Sequence, residues 1–110
     1  MDNASLFGQA KQLDIHVNGI LSQVDIDALM PDEREILALI KRQLTDGRLD
    51  ARDYEYAQTR VEQLQYAKAA RESFAAIQKH VLQASEHNLF SAIDVAHISA
   101  KIQQIIAQLQ

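Results

Sequence analysis

The stretch from Asp50 to about Glu86 contains neither glycine nor proline, and its apolar residues recur three or four apart. Tyr54, Ala57, Val61 and Leu64 make one stripe; Ala70, Phe74, Ile77, Val81 and Ala84 make a second. That period belongs to a helix buried along one side, so the sequence predicts one long central helix over about 50–86. At ~1.5 Å per residue it would span roughly 55 Å, longer than a small domain is wide. Between Leu64 and Ala70 the stripe slips by one residue against a strict heptad, which marks a locally overwound turn or a change of partner. No flanking segment is long enough to cover such a helix alone.

The rest of the chain is helical by the same reasoning. Ala occurs 16 times and Gln 13 times, which favours helix, whereas three Gly and one Pro are too few for the turns of an all-β protein. A first helix is expected to start after Asp2 or Asn3, either of which can cap it. Leu6, Ala10, Leu13, Val17, Ile20 and Val24 form its buried stripe, widened by Phe7 and Leu21, with Gln9, Lys11, Gln12, Asp14 and Asn18 largely off it. Gly8 and Gly19 each cost about 1 kcal/mol there against Ala, and Gly19 is a possible early end. Residues 23–30 read as a connection that packs down through Ile26, Leu29 and Met30.

Pro31 fits the first position of a second helix, followed by Asp32, Glu33 and Glu35 at the positive end of its dipole. Ile36, Leu37, Ile40 and Leu44 make the buried face, and Asp46-Gly47 is expected to stop this helix. Asp50 then caps the long helix, and His87-Asn88 ends it. Ser91 with Asp94 forms a capping-box pattern for a last helix, from about Ala92 to Leu109, with Val95, Ile98, Ile102, Ile105 and Leu109 inside.

These elements predict an all-α fold, a single helical domain over residues 1–110. Its arrangement is four-helix and bundle-like, with the second and fourth helices folded back antiparallel over successive halves of the long one. The first helix would then cover one end. Much of the apolar surface is left for another chain, and a homodimer or a tight complex with a different protein is expected.

Composition excludes several functions. The net charge of −4 comes from residues 1–50, and five acids between Asp25 and Glu35 face one Arg. A nucleic-acid surface needs clustered Lys and Arg, so none is expected. A helix-turn-helix across Thr45–Asp50 would offer only Arg52 and Arg60 early in its second helix. Without cysteine, disulfides and thiol chemistry are absent. No apolar run approaches the ~20 residues that cross a bilayer, and no secretory signal is seen, so a cytoplasmic protein without a membrane partner is expected.

Candidate chemistry is thin. Asp46, Gly47, Asp50 and Asp53 match the second half of an EF-hand loop, but its first and third ligand positions fall on Arg42 and Leu44. Asp94 and His97 have the i, i+3 spacing of bundle metal sites without the further inward carboxylates those need. His80 and His87 lie seven apart beside the buried stripe, two ligands where a closed site needs more. His16 has no evident partner. None of the serines has a base that a third group orients; Ser85 and His87, two apart, fall on different helix faces. We therefore expect no catalytic residues, no metal, no cofactor and no enzyme activity. The feature with most functional promise is a small-residue flank, Ala69, Ser73 and Ala76, preceded by Tyr54, Tyr56 and Tyr66. Small side chains allow close helix approach, and tyrosines suit surfaces both packed and wet. The competing reading puts this flank inside the protein's own core. On balance the sequence describes a small helical interaction protein: an adaptor, assembly chaperone or regulatory subunit. A metal- or small-ligand-binding bundle is the alternative.

Overall fold

Four α-helices follow one another in the computed structural model, which describes residues 5–109: α1 (Leu6–Leu21), α2 (Pro31–Glu55), α3 (Arg60–Glu86) and α4 (Ala92–Ala107). A single 3-10 turn, Ile26–Ala28, lies between α1 and α2, and no strand occurs among the described residues. Among these residues, too, no helix is long and apolar enough to cross a membrane.

The boundary between the second and third helices falls about ten residues later than the sequence predicts. The protein has no helix over 50–86; α2 runs straight through Asp46-Gly47 and Asp50, and α3 begins at Arg60. Two physical reasons account for the shift. Gly47 is a buried packing position rather than a stop: a Cβ built on it would stand 3.0–3.3 Å from three carbons of the Phe74 ring. The real start signal is Thr59, whose hydroxyl accepts the Glu62 N–H at 3.1 Å, while Glu62 accepts the N–H groups of Gln58 and Thr59. That is a reciprocal capping box, and it satisfies donors that the helix itself leaves free. The supposed half-loop for calcium and the supposed helix-turn-helix turn are therefore both continuous helix.

Other punctuation falls where the sequence places it. Pro31 opens α2, and Ser91 caps α4 by accepting the Asp94 N–H at 3.1 Å. Asn88 closes α3 in the left-handed region (φ 63°), with Leu89 N–H donating back to the Ala84 carbonyl and Asn88 N–H to that of Ser85. This pair of bonds is the usual glycine-type helix stop, with Asn in glycine's place. The caps proposed at Asp2 and Asn3 lie outside the described residues; Ser5 caps α1, its hydroxyl accepting the Gly8 N–H at 2.9 Å. Glu55, at the far end of α2, takes the N–H groups of Leu6 and Phe7 on its two carboxylate oxygens at 3.2 and 2.7 Å. The negative charge also sits at the positive end of the α1 dipole.

Polar pairs fix the directions. Glu33–His87, Gln43–His80 and Asp50–Ser73 run down α2 as they run up α3, so the two helices are antiparallel. Arg71 donates to the Leu109 carbonyl and Gln78 to Ser99, which sets α4 antiparallel to α3 along its second half. Gln9 and Gln108 exchange side-chain amide bonds between α1 and α4. Leu13, Val17, Ile40, Leu44, Phe74, Ile77, Val81, Ile98, Ile102 and Ile105 are almost wholly enclosed and belong to one apolar cluster that draws on all four helices. Asp14, set off the stripe by sequence, is buried among them; its carboxylate meets the Arg48 guanidinium at 2.9 Å and the Asn18 amide.

Candidate interaction surface

Among the described residues, the stagger of α2 against α3 leaves apolar side chains near the start of α3 exposed. Gly47 lies against Phe74 and Asp50 against Ser73, so by continuation Glu55 stands level with about Ala67 or Lys68. Residues 60–66 therefore overhang the end of α2 by about 10 Å at 1.5 Å per residue. The link 56–59 can run back along that distance, since four extended residues reach ~14 Å. The far helix offers no cover either, because Leu109 is held level with Arg71. Two apolar side chains of the overhang are consequently in solvent, Val61 at 65% and Leu64 at 50% exposure, with Tyr56 of the link at 73%.

The register slip in the sequence marks this point. Burial on α3 starts at Ala67 and proceeds through Ala70, Phe74, Ile77, Val81 and Ala84. The slip is not a handover from α2 to α4, because both helices pack on the same, later part of α3. The first stripe of the sequence is broken up: Tyr54 packs against the core from α2, Ala57 lies in the link, and Val61 and Leu64 are uncovered.

Of the expected surface residues, only Tyr56 is prominently exposed. Tyr54, Tyr66, Ala69, Ser73 and Ala76 are partly buried. The flank carrying Ser73 and Ala76 is turned toward α2: Ser73 donates to Asp50 at 3.0 Å, and the His80 Nδ1–H is shared between Gln43 of α2 and the Ala76 carbonyl. Small residues there let α2 and α3 approach. The structure thus separates the tyrosine at the link from the small-residue flank, which sequence spacing had grouped together. Sequence reasoning missed Val61 and Leu64 as surface residues because their spacing is that of a buried stripe.

Protein-family models, curated proteins and solved structures contain no match to this chain.

Two of the histidines are engaged within the fold. His87 Nδ1 lies 3.0 Å from Glu33, whose other oxygen accepts the Met30 N–H, and His80 is engaged as above. His97 and Lys101 are exposed on α4, and Asp94 is partly so. His16 has its Nε2 enclosed without a hydrogen-bond partner. Among the described residues no three His, Asp or Glu side chains come together as a metal site would need. The Asp50 carboxyl is moved. Its burial against α3 pushes it above the ordinary value, the Ser73 hydroxyl opposes that, and the charges of Asp46 and Asp53 add to the rise.

Proposed function

We propose that this chain is a small helical interaction protein that receives a partner helix on the overhanging start of α3. The observation that supports this reading is the cluster of Tyr56, Val61 and Leu64 at the overhanging end, each at least half exposed. Fully burying a Val or Leu side chain contributes about 1.5–3 kcal/mol, so covering these residues supplies a useful share of a complex's stability. Val61 and Leu64, one turn apart, present the i, i+3 pair on which helix-on-helix packing is built. A second copy is the partner this reading favours, since a twofold contact needs only the same patch on both chains.

Light scattering during size exclusion at micromolar concentration tests it. The wild-type chain is expected to run at twice the monomer mass, and Val61→Glu with Leu64→Glu to return it to the monomer with unchanged helical circular dichroism. A monomer throughout the range would remove the homodimer, and a dimer indifferent to both substitutions would place the contact elsewhere.

A further inference from the structure

At the opposite end of α2 from the overhang, a cleft of about 150 Å³ opens between the last turn of α1, the 3-10 turn and the first turns of α2. Its apolar wall is Leu21, Ile26, Leu29 and Leu37, contributed by all three segments. Ala38 and two cations, Arg34 and Lys41, complete the lining. An apolar cavity of about this volume is known to accept a molecule the size of benzene, so the wall can receive a body of about six carbons.

The charges select the rest of the ligand. Arg34 donates from Nε to the Ile26 carbonyl at 3.2 Å, which fixes its planar head against the 3-10 turn and leaves its two terminal nitrogens for another acceptor. Lys41 lies a further two turns along α2 and is exposed. Neither side chain has a carboxylate within 4.0 Å among the described residues, although Asp25 and Asp27 lie on the adjoining turn. A guanidinium held at the edge of an apolar cleft, with the Lys41 side chain also on its lining, matches a planar anion better than a neutral polar group. We propose that this cleft binds a small organic carboxylate: an aryl or branched aliphatic acid whose apolar body enters between Leu21 and Leu37 and whose carboxylate meets Arg34 and Lys41.

The experiment is a titration of the full chain with benzoate, 4-methylpentanoate and the neutral benzyl alcohol, followed by methyl NMR. Saturable shifts at Leu21, Ile26, Leu29 and Leu37 are expected, with either acid bound about tenfold or more tightly than the alcohol. Added salt should weaken the acids and leave the alcohol unchanged. Arg34→Gln with Lys41→Gln, both on the surface, should bring acid and alcohol to equal affinity while the spectrum stays that of the folded chain. Equal binding of acid and alcohol to the wild type would overturn the proposal in favour of a purely apolar groove. Absence of saturation with the acids at millimolar concentration, or shifts confined to other methyls, would overturn it as well.

Discussion

Gly47→Ala is the perturbation that tests the fold most directly, because two opposed effects can be sized from the structure. In the interior of a helix Ala is more favourable than Gly by about 1 kcal/mol. The glycine has no positive φ to defend, so nothing in the backbone resists the change. The obstacle is Phe74. A Cβ at position 47 would meet its Cζ, Cε1 and Cε2 at 3.0, 3.2 and 3.3 Å, and the ring is about 1% exposed, with no room to retreat. Overpacking of a closed core by one methyl typically costs about 1–3 kcal/mol. The clash therefore outweighs the propensity gain, and a net loss of about 1 kcal/mol is expected.

A second variant makes the reasoning refutable. In a Phe74→Leu background the ring atoms that crowd position 47 are gone, so Gly47→Ala should now stabilise by about 1 kcal/mol. The coupling in the double-mutant cycle is then about 2 kcal/mol, well outside the ~0.5 kcal/mol scatter of independent sites. Urea unfolding followed by circular dichroism, with matched slopes, measures it. Were Gly47 instead the left-handed stop of a shorter helix, Ala would destabilise in both backgrounds, because the strain would be local. Loss of stability in both, or gain in both, refutes the packing account.

Other consequences are simpler to state. Asp14→Ala, which leaves Arg48 facing the apolar cluster without its partner, should cost about 1–3 kcal/mol in the same unfolding assay; Arg48 is one-third exposed, which keeps the loss below that of a fully buried pair. Glu55→Ala should cost about 1 kcal/mol and speed amide exchange in the first turn of α1, the turn whose donors it holds, with the rest of that helix unaffected. Asp50→Asn keeps an oxygen for Ser73 and removes a charge that burial disfavours. Because the folded-state pKa lies above the unfolded one, the folded chain holds this proton more tightly, and the associated stability is present below the ordinary value of 3.8 and lost as pH rises through the folded value. The variant is thus expected to raise Tm at neutral pH, with the gain shrinking toward pH 4; an equal gain at both would show that the charge is not the cause.

How much of this could be read from the residues depended on how far each signal reached along the chain. Helix type, the start at Pro31, the stop at Asn88 and the cap at Ser91 are written within a few positions of where they act, and they were legible. Thr59 and Glu62 are just as local, yet the apolar period running on through Val61 and Leu64 hid them. Asp46-Gly47 is the reverse case, a strong local signal overridden by a ring from another helix. Nothing near position 47 announces Phe74, and nothing near Leu6 announces Glu55. The burial of Asp14 likewise depends on Arg48, a residue of the next helix. The candidate surface was legible only at Tyr56, because exposure of Val61 and Leu64 follows from where α2 stops.

That stopping point can itself be traced to the core. Sliding α2 along α3 by one heptad would cover Val61 and Leu64 and so bury more apolar surface. The same slide would set Phe74 against Ile40 in place of Gly47, ring against a branched side chain that is already fully enclosed. It would also carry His87 past the start of α2 and away from Glu33, and separate Ser73 from Asp50. The helices would have to move apart along their whole length, and dispersion contacts fall away steeply with a gap of even 0.5–1 Å. The overhang is thus the stagger at which the Phe74 ring meets Gly47, the one buried glycine among the described residues. A chain carrying both Gly47→Ala and Phe74→Leu still has the Asp50–Ser73 and Glu33–His87 pairs, which hold the same stagger. Its tyrosines should therefore be quenched in solution as readily as those of the wild type, and a fall in quenching would mean that the ring alone sets the register.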